Sequence, residues 1–273
     1  MDTFTYLAWR RPQTRAWLYP FFRVHADPIF FMGNQKSGTT AISSLLAYAA
    51  DLRATTWAPG LDFAVLKALH EGRLSLQKAI QRYARIEFAR PVIKECNLTF
   101  VYEQVRVLYP QARQVFVVRD PRDNLRSILD RLDLPGQVAA VSLPDPLRAH
   151  WGHVLDNTWM GAPAGNPVCS LAWRWARALA VYRQYPGEFI RIRYEDFLAN
   201  PEDAIAQLCV ALHVPQKRQI SNWNMHPFQP PGRNRGCPWP DFFGADPLAH
   251  IEDICAEGMA EMGYLPSKNY LPA

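Results

Sequence analysis

The sequence predicts a single α/β domain with a central parallel β-sheet flanked by helices. Three observations predict it. Short apolar runs rich in Val, Ile and Phe alternate with segments of helical periodicity. Those runs are continuously apolar, as in a parallel sheet covered on both faces. Three polar clusters, at 33–40, 94–97 and 119–127, each follow such a run. They should meet on the rim beyond the strands' carboxyl ends, where open α/β sheets bind ligands.

The elements follow in order. Residues 29–32 form an apolar strand ending at Gly33, and Thr39 to Ala50 has helical spacing. Helical stretches are expected at 63–70 and 74–88. A strand from Pro91 to Ile93 ends in Lys94-Glu95-Cys96-Asn97, and Phe100 to Tyr109 reads as a helix stopped by Pro110. "QVFVV", 114–118, is a strongly β-branched strand. It runs into Asp120-Pro121, a helix start. Residues 132–166 lose periodicity and are expected to be a long functional loop. Helix resumes over 170–184, strand over 189–193 and helix over 201–212. Residues 215–245, rich in Pro, Trp and Arg, should be a second irregular segment. A last helix over about 247–262 ends at Gly263. Residues 1–28 are expected to be an N-terminal extension, and 29–273 the domain.

With 273 residues, 49% of them hydrophobic and 20% charged, the chain can bury a core without staples. The net charge of +5 is compatible with an anionic small ligand, a nucleic acid or an acidic polymer and selects none of them. No run of five Lys or Arg occurs, so no nucleic-acid tail is expected. The five cysteines, at 96, 169, 209, 237 and 255, form no CxxC, which argues against zinc. Reduced thiols and a cytoplasmic setting are expected. Arg10, Arg11, Arg15 and Arg23 stand among aromatic residues. That makes the N-terminal segment a candidate for peripheral membrane contact. No apolar run there is long enough for a span.

The stretch "GNQKSGTT", 33–40, is the most specific feature. Gly33 and Gly38 stand as in the nucleotide-triphosphate loop G-x-x-x-x-G-K-[ST], but the lysine has moved forward to Lys36 and Thr39 fills its slot. The glycines let backbone N–H groups approach an anion. Ser37, Thr39 and Thr40 lead into a helix whose N-terminus favours negative charge. A kinase or NTPase on this sheet would hold Mg²⁺ with a loop hydroxyl and a strand-end Asp. Here Arg119 comes first at the strand end, which suits a phosphate.

"GNQKSGTT" resembles the 5′-phosphosulfate loop of sulfotransferases that use 3′-phosphoadenosine-5′-phosphosulfate (PAPS). "VFVVRDPRDNLRSIL" resembles their 3′-phosphate motif. "IRIRYEDFLANPEDAIAQLCVAL" is similar to the next strand-helix segment of that family. "RGCPWPDFF" partly resembles its late R-K-G segment, and "ICAEGMAEMGY" the close of bacterial members. The resemblance spans about Ile29 to Tyr264. It implies a PAPS donor, PAP as product, and no required metal, since a sulfuryl group carries less charge than a phosphoryl group. It implies that Lys36 stabilises the leaving phosphate. Gly33, Ser37, Gly38, Thr39 and Thr40 would hold the 5′ end, and Arg119, Ser127, Arg235 and Gly236 the 3′-phosphate.

The acceptor side is open. Lys94 matches the lysine of the family's Lys-x-His, but Cys96 replaces the histidine. Asp62, then Glu95, are the candidate general bases, with His70, His150 and His153 behind them. Arg122 and Arg126 could reach phosphate or lie on a solvated face, and Arg233 stands in the basic stretch around Arg235. Trp151, Trp173, Trp175 and Trp239 read mainly as core; Trp57 or Trp239 could stack on a ligand. Tyr194-Glu195-Asp196 should fix a strand-to-helix turn. The acceptor would be a small molecule, a carbohydrate or a lipid-linked group. A kinase or NTPase and a non-catalytic nucleotide-binding protein of the same fold are the alternatives.

Overall fold

The computed structural model describes residues 16–138, 143–221 and 232–267. Its sheet has five strands, all parallel: β1 (Ile29–Gly33), β2 (Ala54–Thr55), β3 (Val92–Lys94), β4 (Arg113–Val118) and β5 (Phe189–Arg193). Their order is β2-β3-β1-β4-β5. Met32 pairs with Phe116 and Gly33 with Val117, so β1 and β4 reach the same rim.

The apolar runs are explained by two covered faces. Phe31, Val115 and Val117 pack on α1 (Thr39–Ala50) through Ile42, Leu45 and Leu46. Their neighbours Phe116 and Val118 point the other way, into a core with Leu171 and Trp175. Phe30 and Met32 enter a third cluster with Leu66, Phe88 and Tyr102. Successive strand residues alternate faces, yet both faces are dry.

The remaining helices are α2 (Phe63–His70), α3 (Leu76–Ala79), α4 (Tyr102–Leu108), α5 (Pro121–Arg131), α6 (Asp145–Leu155), α7 (Pro167–Gln184), α8 (Tyr194–Ala199), α9 (Pro201–Ala211), α10 (Trp239–Phe243) and α11 (Ala245–Met262). Four segments differ from expectation. The stretch 74–88 is not one helix: after α3 the chain widens into a π turn over Ile80–Ala84, then a 3₁₀ turn over Glu87–Ala89. Residues 132–166 are not structureless. They hold α6 and a 3₁₀ turn over Thr158–Met160. Leu147, Trp151, Val154 and Leu155 recur at i, i+4, i+7 and i+8 and pack on the core, a helical pattern obscured by the Pro and Gly around it. The described part of 215–245 includes α10. β2 has only two residues, too short for any pattern.

Of the N-terminal extension, a 3₁₀ turn over Ala16–Phe21 is described, with Tyr19 buried and Trp17 and Phe21 exposed. Arg85 ties it down through the Phe22 carbonyl at 2.8 Å. Residues 1–15, with three of the arginines read as membrane-contacting, lie outside the described residues. No helix among the described residues is long and apolar enough to cross a membrane.

Candidate functional site

The loop from β1 to α1 depends on three left-handed residues: Gly33 (φ 124°), Lys36 (φ 65°) and Gly38 (φ 91°). A Cβ on Gly33 would lie 2.2 Å from the Val117 carbonyl oxygen, and one on Gly38 2.1 Å from the Tyr194 ring. Both positions need glycine for space and conformation. Lys36 has a side chain and is held in that conformation by its surroundings.

Those surroundings come from distant segments. Asn124, fully buried on α5, donates to the Gln35 carbonyl at 2.8 Å and the Ser37 hydroxyl at 3.0 Å. It accepts from Asn34 Nδ2 at 2.9 Å. The Thr99 hydroxyl accepts from the Gly33 N–H at 2.9 Å. Arg119 donates to the Lys36 carbonyl at 3.1 Å. Thr39 lies buried, its hydroxyl 3.4 Å from Cys96 Sγ.

Charge gathers at this loop. Burial pushes the Lys36 ammonium down to about 8, and the Arg131 and Arg119 guanidiniums push the same way. Lys94 adds to the effect and Asp130 opposes it. Three cations thus act on Lys36, opposed by Asp130, and Asp123 lies 4.0 Å from the Arg119 guanidinium. Arg119 Nε is buried without a hydrogen-bond partner, and its guanidinium lies 4.8 Å from the Tyr194 ring centroid. Gly38 caps α1 without a side chain, so the first-turn N–H groups take no side-chain cap. Cations, an orphaned donor and an open helix N-terminus together fit a multiply charged anion.

Ser127 is half-buried, two turns along α5 from its start, and Thr40 is half-buried in the first turn of α1. Arg235 and Gly236 are exposed in the turn from Gly232 to Cys237. That turn is pinned to α5 by Asn234, which donates to Asp130 at 2.6 Å. Arg233 pairs with Asp133 at the surface.

Two arginines differ from both expectations held for them. Arg122 is neither solvated nor open to phosphate: it is 1% exposed, bonded to Asp120 at 2.6 Å and Glu252 at 2.8 Å, and covered by the Trp239 ring. Arg126 is buried against Asp123 and the Cys237 carbonyl. Trp175 is core, and its indole N–H donates to the Arg119 carbonyl at 2.9 Å. Trp239 donates to Asp123 at 2.7 Å. Glu195 fastens its turn, accepting from the Asp120 N–H at 2.9 Å and the Tyr264 hydroxyl at 2.8 Å.

The candidate bases separate. Asp62 is exposed and caps α2, one oxygen accepting from the Val65 N–H at 3.0 Å. Glu95 is buried, and both oxygens accept backbone N–H bonds at 3.1 Å, from Ala58 and Asn97. His70 and His150 are exposed and meet Trp159 and Trp57 edge-on. His153 is buried with neither ring nitrogen hydrogen-bonded, and its ring stacks on Phe63 at 5.5 Å. Burial, then Arg174 and His150, push it down to about 3.

Sequence reading missed Gln35, Asn97, Asn124 and Arg174, which form the scaffold of the loop. The available signal was a polar residue on an otherwise apolar helical face, as at Asn124 between Pro121 and Leu125, or Arg174 in "SLAWRWARAL".

The fold is a parallel α/β sheet that carries this cationic, glycine-hinged loop at its rim. The chain belongs to the sulfotransferase family, whose model matches residues 66–218, more than half its length. That match begins after the loop, so the loop's geometry is separate support. Similar solved structures include a sulfotransferase from Mycobacterium avium, with 16% identity, TM-score 0.54, and coverage of 89% of this chain and 78% of that one. The sulfotransferase domain from the curacin biosynthetic pathway has 15% identity and TM-score 0.50, over 89% of this chain and 99% of that one. A sulfotransferase from Mycobacterium tuberculosis H37Rv has 12% identity and TM-score 0.50, over 90% and 80%. These likenesses carry the fold. No curated protein matches the chain.

Proposed function

We propose that the protein moves a sulfuryl group from PAPS to a hydroxyl or amine of a small-molecule, carbohydrate or lipid-linked acceptor, in line and without a metal. The observation that carries this is the glycine-hinged loop with Lys36 at its apex and Arg119, its Nε unpartnered, 3.1 Å from the Lys36 carbonyl; Arg131, Arg119 and Lys94 also act on the Lys36 ammonium. Side chains alone supply the positive charge that a phosphoryl-transfer site takes from Mg²⁺.

The roles follow from position. The N–H groups of Ser37, Gly38, Thr39 and Thr40, with Gly33 as hinge, take the 5′-phosphate. Arg119 and Ser127 take the 3′-phosphate, with Arg235 and Gly236 closing from the α5 side. Lys36 stabilises charge developing on the leaving phosphate, and Lys94 faces the same charge. For the acceptor's proton, Asp62 is favoured over Glu95: its second oxygen makes no hydrogen bond to a described residue, whereas both of Glu95's are engaged. A base must reach the acceptor hydroxyl directly or through one water.

Calorimetric titration with PAP, PAPS, ATP and ATP·Mg tests the donor, and labelled PAPS offered to the three acceptor classes tests transfer. Tight PAP binding that is indifferent to EDTA is expected. A preference for ATP·Mg would sink the proposal. Asp62→Asn should slow transfer more than Glu95→Gln; full activity in both variants would remove the carboxylates as bases.

A further inference from the structure

Arg174, in the middle of α7, is fully buried. Its guanidinium pairs with no carboxylate among the described residues. It instead meets three neutral side-chain oxygens: Gln35 Oε1 at 3.1 Å, Asn97 Oδ1 at 2.9 Å and Asn157 Oδ1 at 2.8 Å. The Phe100 ring closes the remaining side, its centroid 4.1 Å away. Gln35 is the loop residue before Lys36. Its amide also donates to Asn97 Oδ1 at 2.8 Å, and its carbonyl is held by Asn124. Asn97 lies just past Lys94 on the same rim.

A buried cation is unfavourable without compensation, and here Cys96 and the buried Glu95 carboxylate favour the charge from a distance, without a direct ion pair. Neutral amides solvate Arg174 but leave its charge in place. Burial pulls the guanidinium down to about 9 while Cys96 and Glu95 oppose it, so it is cationic at neutral pH. Gln35 joins this network directly to the loop, one residue before Lys36.

We infer that Arg174 is a positioning residue for the sulfuryl end of the donor site: it fixes Gln35 and Asn97 beside Lys36, and its buried charge adds to the positive field that the donor's 5′ anion meets. This rests on the PAPS reading above. A bridge of three amides needs the planar fork of arginine, so lysine supplies the charge but not the geometry.

Two variants test it. Arg174→Gln should weaken PAP and adenosine 5′-phosphosulfate alike, by roughly 10- to 100-fold, the range for one charged hydrogen-bonding group. Adenosine 3′-phosphate, which lacks the 5′ group, should change by less than about twofold on the same scale. Gln35→Glu gives Arg174 a direct ion-pair partner at the position Gln35 Oε1 now holds. Its melting temperature should rise while PAP affinity falls, whereas a merely structural role moves the two together. Equal loss on all three ligands, or Gln35→Glu with a lowered melting temperature and unchanged PAP affinity, would overturn the inference. If Arg174→Gln fails to fold, Gln35→Glu still decides. Wild-type protein that binds no PAP would remove the donor reading and this inference together; wild-type binding with unaffected variants would remove only the inference.

Discussion

The Arg119 guanidinium donates to the Lys36 carbonyl at 3.1 Å, joining the end of β4 to the apex of the β1–α1 loop across 83 residues of sequence. The residue expected to bind the 3′-phosphate therefore also holds the residue expected to act at the 5′ side. Any change at Arg119 is felt at both ends.

Arg119→Ala should weaken PAP more than adenosine 5′-phosphosulfate, because only PAP carries the 3′-phosphate. A smaller loss should appear for adenosine 5′-phosphosulfate as well, because Lys36 loses a support. Calorimetry with both ligands checks this. Equal losses would contradict the 3′ assignment.

Lys36→Ala should lower turnover by roughly 10²–10³, typical of removing one preorganised charge contact, while PAP affinity changes little. Single-turnover transfer with labelled PAPS measures it. Unchanged turnover would reject the role.

Donor binding should take up a proton above neutral pH. With its ammonium pushed down to about 8, Lys36 is increasingly neutral as pH passes that value. The donor's negative charge favours the ammonium and raises it, so the sign is uptake. PAP titrations at pH 9 in buffers of differing ionisation enthalpy should show it, with little at pH 7. The Lys36→Ala variant should show none at either pH.

His153 should make the protein acid-sensitive. Its folded value of about 3 lies below its ordinary 6.5, so the unfolded chain binds the extra proton between those limits. Stability from this group is complete above 6.5 and is lost as pH falls toward 3, by about 1.4 kcal/mol per pH unit at most. Urea melts of wild type and His153→Gln at pH 4 and 6.5 compare the slopes. Identical slopes would count against the assignment.

Gly38→Ala should destabilise the fold and impair PAP binding together. The position has φ 91°, and the new Cβ meets Tyr194, on which Arg119 also rests. About 1–3 kcal/mol is expected from the backbone alone. A thermal melt matching wild type would show that Tyr194 yields freely.

Much of the fold could be read from local pattern. β5 and the helices at 39–50 and 63–70 fall where apolar spacing and Gly or Asp punctuation put them. Periodicity needs only neighbours, which is why it was legible there and failed in α6, where Pro and Gly broke the visible rhythm. The loop was legible for the same reason: Gly33, Lys36 and Gly38 lie within six residues.

What the sequence by itself determined is the alternation of strand and helix and the glycine-hinged loop between β1 and α1. The tertiary structure alone decided which side chains serve that loop. Arg122, similar to Arg119 in sequence context, is locked into Asp120 and Glu252, whereas Arg119 keeps an unpartnered Nε. Glu95 is committed to two backbone amides, one of them 37 residues away. Arg174 reaches Gln35 across 139 residues. Hydrogen bonds and charge pairs are matters of distance in space, and chain spacing carries no record of them until the sheet brings its strand ends together.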